Sequence, residues 1–300
     1  MILVVGATGS VGGEICRRLA ASGQSVRALV RESSAPDKVS ALQAMGVETV
    51  VGDLRDGPSL DAACRGISAV ITTVSSMPFS YVPGQNDIAS TDMAGAMRLV
   101  DAAVAAGAVH FTYTSFSNNL DVDTPLFRAK RVVEQHLIES GLGYTILRPS
   151  CFMEAWLSPM VGFDPANARA TIYGTGTEPV SWIAVRDVAE FAVRSIDAPA
   201  ARNATLELGG PDALSPLEVV RIFEEIGGRR FETQHVPVEA LQAQQEAATD
   251  PMAQTFPGLM RCVAAGDRID MESTLRAIPV SMVTVRDYAR AVVGEPAGAV

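Results

Sequence analysis

The chain has 300 residues, with 34 acidic and 24 basic side chains and a formal net charge of −10. This length can bury a substantial core as one large α/β domain or as a larger domain with a smaller partner. An acidic surface repels a phosphate backbone and no predicted helix carries a basic stripe, so we expect no nucleic-acid binding. The apolar runs fall short of the roughly 18 residues of a membrane span, and a strand at residues 2–5 leaves no room for a signal peptide. We therefore expect a cytoplasmic protein with no membrane partner.

The first half of the chain alternates short apolar segments with segments of helical period. The apolar segments predict strands at 2–5, 26–30, 49–51, 69–74, 111–114 and 145–147. The helical segments lie between them, at 12–22, 38–43, 59–64, 91–106 and 128–140. Unbroken apolar strands separated by amphipathic helices are typical of a parallel sheet covered on both faces. We predict a doubly wound α/β fold with ligands at the carboxyl ends of its strands.

The pattern loosens after Pro149, where prolines and glycines punctuate a long stretch that we expect to be irregular. Two later segments, 180–197 and 203–209, have the character of a helix and a strand that return to the main sheet. We therefore predict a nucleotide-binding Rossmann domain over 1–150 that includes these two segments. A smaller, discontinuous substrate domain would comprise 151–179 and 210–300.

Local signals in the second half predict where several helices begin or break. We expect Asp187 to cap a helix that runs through Ile196. Ser215 and Glu218 have the spacing of a capping box, which opens a helix at its first turn. Beyond them, 239–276 should be mostly helical, with breaks at Pro251 and Pro257.

The strongest local signal is the segment Gly6-Ala7-Thr8-Gly9-Ser10-Val11-Gly12-Gly13, between the first strand and the first helix. Gly6 permits a tight turn, Gly9 lets the main chain approach a diphosphate, and Gly12 lets the helix pack closely on the strand. The helix N-terminus offers free N–H groups and a positive dipole end to phosphates. The residues expected to contact the diphosphate are Gly6, Thr8, Gly9, Ser10, Val11 and Gly12. A purely structural glycine turn is the alternative.

The spacing Gly-x-x-Gly-x-x-Gly resembles that of the short-chain dehydrogenase/reductase superfamily, particularly its extended and atypical members. Residues 105–115 resemble the fourth crossover and fifth strand of that fold. Residues 130–134 (KRVVE) and 140–154 (SGLGYTILRPSCFME) closely resemble the NmrA-like family. That family groups with isoflavone reductase-like enzymes, triphenylmethane reductase and NADPH quinone oxidoreductases. The resemblance runs from Met1 to about Val236.

Arg31 indicates which nicotinamide dinucleotide is bound. It follows the second predicted strand, where folds that prefer NAD carry a carboxylate for the ribose 2′-OH. Its planar guanidinium suits the 2′-phosphate of NADP. Glu32 would repel that phosphate, but alternation along a strand would turn Arg31 and Glu32 to opposite faces. We therefore favour NADPH over NADH, with a solvated surface role for Arg31 as the alternative.

Further cofactor contacts are implied by the family resemblance. It assigns Asp53 and Leu54 to the adenine edge, Val74, Ser75 and Ser76 to the ribose and diphosphate, and Pro149, Cys151 and Phe152 to the nicotinamide. A buried bystander thiol is the alternative for Cys151. The four cysteines, Cys16, Cys64, Cys151 and Cys262, lie far apart with no paired spacing, so we expect reduced thiols and no metal site.

The catalytic pattern of the superfamily is incomplete in this chain. The usual groups are a serine, a tyrosine acid and a lysine four residues after the tyrosine. Lys130 matches the lysine and Ser115 matches the serine, whereas Leu126 stands where the tyrosine would be. The resemblance therefore makes Lys130 and Ser115 the candidate catalytic residues. Alternatively, Lys130 binds only the ribose or forms a surface pair with Glu134.

We predict an NADPH-dependent reductase of a small conjugated acceptor such as a quinone, an enone or an aromatic. The delocalised product anion can take its proton from water, so a tyrosine acid is not essential. The side chains expected to wall an apolar substrate pocket are Phe152, Met153, Trp156, Met160 and Phe163. The alternative is a non-catalytic NADP(H)-binding redox sensor that acts through a protein partner. We leave a homodimer open, since no residue decides it.

Overall fold

The computed structural model describes residues 1–77, 80–119 and 122–294, and a seven-stranded parallel sheet lies at its centre. The strands are β1 Ile2–Val5, β2 Val26–Val30, β3 Glu48–Val51, β4 Ala69–Thr72, β5 His110–Thr114, β6 Gly143–Pro149, β7 Phe163–Asp164, β8 Arg169–Tyr173, β9 Ala204–Leu208 and β10 Glu232–Val236. The central sheet has the order β3-β2-β1-β4-β5-β6-β9. The strand order reverses between β1 and β4, which opens a ligand crevice at their carboxyl ends. The predicted doubly wound sheet is confirmed.

Helices cover both faces of this sheet. The α-helices of the described residues are α1 Ser10–Ala21, α2 Pro36–Ala44, α3 Gly57–Cys64, α4 Ala96–Ala105, α5 Pro125–Glu139, α6 Met153–Trp156, α7 Val185–Ser195, α8 Pro216–Gly227, α9 Val238–Ala247, α10 Pro251–Ala265, α11 Glu272–Ala277 and α12 Val285–Val293. Strand alternation divides the core between the faces. Ile2 and Val4 pack with α1 and α7, whereas Leu3 and Val5 pack with α3, α4 and α5. Full burial of each such side chain stabilises the fold by roughly 1.5–3 kcal/mol.

A second sheet has the order β10-β8-β7, and two of its strands, β7 and β8, lie in the stretch that we expected to be irregular after Pro149. The predicted pattern missed it because β10 is almost wholly exposed and has no apolar alternation. The core beside it includes Phe163 and Phe223, whose rings meet edge to face at 4.9 Å between centroids. β9 joins the central sheet and β8 does not. We therefore propose, as predicted, a Rossmann domain and a smaller substrate domain. Its last residues, 295–300, lie outside the described part of the chain.

The predicted helix signals have mixed outcomes. The capping box is confirmed: Ser215 Oγ accepts from Glu218 N, and Glu218 Oε2 accepts from Ser215 N at 2.8 Å. The cap at Asp187 is wrong, because α7 has Ala184 at its N-cap. Asp187 lies inside α7, is buried, and accepts from Val283 N at 2.8 Å. The break at Pro257 is also wrong, since α10 continues through that residue.

A π-helix, Ile88–Gly95, runs directly into α4. The sequence pattern predicted an ordinary helix beginning near Thr91. The π-helix begins instead at Ile88, and the carboxylate of its N-cap residue Asp87 accepts from Ser90 N at 2.8 Å in a capping box. Because π-helical bonds join residues five apart, the inward face of this segment does not follow the 3.6-residue period of an α-helix.

The crossing of β1 and α1 is a close backbone contact. A Cβ atom on Gly12 would lie 2.2 Å from the carbonyl oxygen of Gly6, a separation that real Cβ atoms do not show. Gly6 itself has φ +89°, in the region that favours glycine. The expectation that Gly12 permits close helix–strand packing therefore has a direct steric basis.

We expect Gly12→Ala to destabilise the protein by roughly 1–3 kcal/mol or more, because the clash is with backbone and cannot relax by side-chain rotation. Denaturant unfolding measures the change. Gly57→Ala is the matched control, since a Cβ atom there meets nothing within 4 Å. Equal stability of the Gly12→Ala variant and the wild type would contradict the close contact.

Candidate active site

The glycine loop presents main-chain donors to the crevice. Gly9 N donates to Gly6 O at 2.9 Å, which closes the turn, and the first helical bond runs from Gly13 N to Gly9 O at 2.9 Å. The amides of the first helical turn therefore have no acceptor within the helix. No side chain caps α1 and its first turn holds no acidic residue. This arrangement, in which glycines leave room at a helix N-terminus, fits a diphosphate.

Two basic side chains lie beside this loop. Arg31 is exposed and lies one residue beyond β2, and its backbone N donates to Ser34 Oγ at 3.0 Å. Arg31 and Glu32 both lie beyond the end of β2, and both are exposed. Strand alternation therefore does not place them on opposite faces. Lys38 Nζ donates to the carbonyl oxygen of Thr8 at 3.1 Å. Lys38 was not among the predicted site residues. The chain has only two lysines, and this scarcity was a sequence signal that could have pointed to it.

Asp53 and Leu54, assigned to the adenine edge, have different surroundings. The carboxylate of Asp53 accepts from Arg55 Nε and Nη2, each at 2.8 Å. These bonds lower the pKa of Asp53, and the charge of Arg31 adds to the effect despite partial burial. Leu54 is buried in the core beneath α3 and α4. A cofactor at this position would therefore meet an Asp53 carboxylate that already accepts hydrogen bonds from Arg55.

Lys130, on α5, lies at the opposite end of the crevice. Its side chain is 3% exposed, and Nζ donates to the carbonyl oxygens of Val74 at 2.8 Å and Thr114 at 3.4 Å. Nζ also lies 3.7 Å from Asp92 Oδ1 and 5.1 Å from the centroid of the Tyr113 ring. Burial lowers the pKa of Lys130, while the Asp92 carboxylate opposes that shift. The ammonium thus joins α5, β5, the π-helix and the segment after β4.

The segment after β4 connects Lys130 to the glycine loop. A Cβ atom on Gly6 would lie 3.3 Å from the Val74 side chain, so these two residues adjoin. Ser75 Oγ accepts from Met77 N at 3.2 Å. Ser76 is fully buried, and both its N and its Oγ donate to Asp92 Oδ2. Three of the predicted cofactor positions, Val74, Ser75 and Ser76, therefore follow one another between the loop and Lys130.

Ser115, the other candidate catalytic residue, contacts a buried ionic network. Its Oγ lies 3.5 Å from Arg131 Nη1, and its hydroxyl bonds Glu134. The side chain of Glu134 is 5% exposed and forms ion pairs with Arg131 and Arg148. The surface pair of Lys130 with Glu134, considered as an alternative, does not form. The predicted role of Ser115 stays a prediction.

Backbone hydrogen bonds hold residues 149–152, at the end of β6, against neighbouring segments. The carbonyl oxygen of Pro149 accepts from Ser117 N at 3.1 Å, and that of Cys151 accepts from Ile183 N at 3.0 Å. Burial raises the pKa of the Cys151 thiol, so this cysteine is a poor nucleophile. Phe152 is half-buried at the N-cap of α6.

The expected pocket wall behind this strip packs as core. Met153 and Phe163 are buried in the core beside the second sheet, whereas Met160 is exposed. Trp156 and Phe163 line a cavity of about 20 Å³, which holds about one water molecule. That these side chains wall a substrate pocket stays a prediction.

Apolar side chains gather instead beside Lys130. We call this set the methionine cluster; it comprises Met77, Tyr81, Ile88, Met93, Phe116, Leu126, Ala129, Met252 and Phe256. The Phe116 ring centroid lies 6.0 Å from Lys130 Nζ, which joins the cluster to the ammonium. Leu126, in place of a tyrosine, is one of its buried members. Four of its members, Met77, Ile88, Leu126 and Ala129, are buried, and unbranched methionine side chains adapt to irregular shapes.

Two classes of feature do not occur in the described ranges. They contain no group of three or more His, Cys, Asp or Glu side chains that could hold a metal ion. Nor do they contain a helix that is long and apolar enough to cross a membrane.

Comparison with known proteins places this chain in a family. The NmrA-like family model matches residues 1–288. The chain belongs to the NmrA-like family. Among its relatives is the NAD(P)H azoreductase of Xenophilus azovorans, 32% identical over 246 residues, which span 82% of this chain and 79% of the relative. A photosystem II assembly factor of Trieres chinensis is 28% identical over 244 residues, 80% of this chain and 73% of the relative.

A solved structure shares the architecture of this NmrA-like chain. An NADPH-dependent quinone oxidoreductase of Escherichia coli, crystallised with NADPH, superposes with a TM-score of 0.78. It is 22% identical, and the match covers 97% of this chain and 99% of the other. The shared fold agrees with the resemblance seen in the sequence.

We expect Glu134 to make the stability of this protein depend on pH. Burial raises its pKa, but bonds from Arg148 and Ser115 and the charge of Arg131 together lower it below its usual value. A lowered folded-state pKa stabilises the protein above the unfolded pKa of about 4.3, and this contribution is lost as the pH falls through the folded value. We expect Glu134→Gln to cost about 2–4 kcal/mol at pH 7. The deficit should shrink below about pH 4.3, measured by urea unfolding across pH.

The matched control is Glu272→Gln. Glu272 pairs with Arg276 on the surface, with both side chains 75% exposed, so its replacement should change stability by less than about 1 kcal/mol at any pH. A constant deficit for Glu134→Gln from pH 7 to pH 3 would contradict the ionic role.

Proposed function

We propose that this chain is an NADPH-dependent reductase that transfers hydride to a small conjugated acceptor such as a quinone, an enone or an aromatic. The observation that carries the proposal is a buried ammonium, Lys130, between the glycine-loop crevice and an apolar cluster. Two comparisons support a reductase in general: a relative named as an NAD(P)H azoreductase, and a quinone oxidoreductase of the same fold. We also propose a cytoplasmic protein, with a homodimer left open.

The crevice offers suitable groups for each part of the dinucleotide. The free amides at the start of α1 would hold the diphosphate, with room provided by Gly9 and Gly12. Arg31 and Lys38 would bind the 2′-phosphate, because both are basic and lie at the same end of the loop. Lys130, whose donors face protein groups, would act at the nicotinamide end through its charge. Bound NADPH would supply the hydride.

Lys130 would then act on the acceptor through its charge. An ammonium in a water-poor site stabilises negative charge that develops on a nearby oxygen or nitrogen, and it can give up a proton. The methionine cluster would bind the apolar body of the acceptor and exclude water. This division of roles does not require a tyrosine at position 126.

We expect Lys130→Met to lower kcat by about 100-fold or more with quinones and enones, because a positioned acid or cation contributes on the order of 10²–10⁴. Steady-state NADPH oxidation with a panel of these acceptors measures the effect. Thermal unfolding checks that the variant remains folded. Unchanged kcat in a folded variant would refute the catalytic role of Lys130.

The other lysine provides the matched control. Lys38→Met makes the same chemical change at the opposite end of the crevice. It should raise KM for NADPH and leave kcat at saturating NADPH unchanged, since Lys38 contacts the glycine loop and not Lys130.

We expect Arg31→Ala to weaken NADPH binding about tenfold or more and to leave NADH binding nearly unchanged. The removed guanidinium would contact the 2′-phosphate, which NADH lacks, and a charge-assisted bond contributes about 1.5–3 kcal/mol. Calorimetric titration with both dinucleotides measures the difference. Equal losses for NADPH and NADH would exclude this role for Arg31.

A second candidate function is a non-catalytic NADP(H)-binding regulator that acts through a protein partner. The relative named as a photosystem II assembly factor favours it, as does the leucine at position 126. Tight NADPH binding without turnover of any acceptor in the panel would support the regulator over the reductase.

A further inference from the structure

An acidic side chain lies at the centre of the site without an assigned role. Asp92, on the π-helix, is 1% exposed, although an isolated carboxylate is costly to bury. Its Oδ2 accepts from both the N and the Oγ of Ser76. Its Oδ1 has no hydrogen-bond partner and faces Lys130 Nζ at 3.7 Å. One carboxylate therefore fixes the segment after β4 with one oxygen and faces the ammonium with the other.

The surroundings of Lys130 show why this carboxylate matters. An ammonium has three donors, and two of them bond the carbonyl oxygens of Val74 and Thr114. The Asp92 carboxylate lies toward the third donor, with Oδ1 3.7 Å from Nζ, and it is the only ionisable group among the three. Without that charge, Lys130 would be buried with neutral acceptors and a strong tendency to lose its proton.

The other titratable groups around Lys130 do not replace Asp92. Glu134, four residues later on α5, is bound by Arg131 and Arg148, which offset its charge. Tyr113 lies beneath the ammonium, but burial raises the pKa of its hydroxyl well above the usual value, so it stays neutral. The net charge that Lys130 meets thus comes mainly from the π-helix.

We propose that Asp92 is the positioning residue of this site: its buried carboxylate holds Lys130 as a charged ammonium and fixes Ser76 and the segment after β4 beside it. The importance of this charge for hydride transfer rests on the proposed reductase function. The pairing itself does not, and it can be tested without cofactor or acceptor.

The two lysines make the test direct. Protein labelled with ¹³C and ¹⁵N in lysine alone should give two sets of side-chain NMR signals, from Lys38 and Lys130. We expect the titration midpoint of Lys130 to fall by at least about one pH unit in Asp92→Asn, since an adjacent opposite charge shifts a pKa by about 1–3 units. The signals of exposed Lys38, which contacts the glycine loop and not Asp92, serve as the internal control. An unmoved Lys130 midpoint in folded Asp92→Asn would overturn the proposal.

Two further measurements keep the proposal testable if Asp92→Asn does not fold. In the wild type, the Lys130 ¹⁵Nζ signal should report the ammonium form at pH 8, and a neutral amine at that pH would overturn the proposal. Asp92→Glu retains the charge and should keep Lys130 protonated at pH 8. Asp101→Asn makes the same change at an exposed aspartate on α4, and it should leave both midpoints unchanged.

If the chain is a reductase, the alkaline limb of its kcat profile should move in the same direction as the Lys130 midpoint in Asp92→Asn. A moved NMR midpoint with no turnover in any variant would refute the reductase and leave the pairing intact. Turnover whose alkaline limb stays fixed while the NMR midpoint moves would refute the link between Asp92 and catalysis.

Discussion

The fold of the cofactor crevice depends on how closely α1 can approach β1. Gly12 lies against the carbonyl of Gly6 with no room for a side chain, and this contact brings the helix N-terminus to the edge of the sheet. The free amides of the first turn then face the point where the strand order reverses. A helix displaced by even one methyl group would withdraw those amides. The diphosphate site, and every role proposed for residues further along the crevice, follows from this contact.

A second constraint acts at the other end of the crevice, where Lys130 is buried among backbone carbonyls. In the usual superfamily pattern a tyrosine stands between such a lysine and the substrate, whereas Leu126 here belongs to the methionine cluster. A leucine at this position makes the site more apolar, and the Phe116 ring of the same cluster lies 6.0 Å from the ammonium. This combination supports the proposal of an acceptor that is largely hydrocarbon and gains negative charge during reduction.

The sequence predicted the central sheet, the glycine loop and Lys130, because apolar strands, turn glycines and a family pattern are local signals. It could not reveal Asp92, since the π-helix breaks the periodicity that relates a residue to a helix face. Nor could it reveal the contact of Lys38 with Thr8, which are 30 residues apart. β10 was not predicted for a different reason. Its residues are exposed and show no apolar alternation, and its partner β8 lies far away in the chain.

Because of the π-helix, the site depends on the number of residues in this segment and not only on which residues they are. Its bonds enclose one more residue than those of an α-helix. A single-residue deletion within Ile88–Gly95 would let the segment relax to α-helical geometry and turn its upstream part by about 100° relative to α4. Depending on its position, such a deletion could carry Asp92 away from Lys130 without altering either side chain. The length of this segment therefore decides, together with its residues, whether a carboxylate meets Lys130.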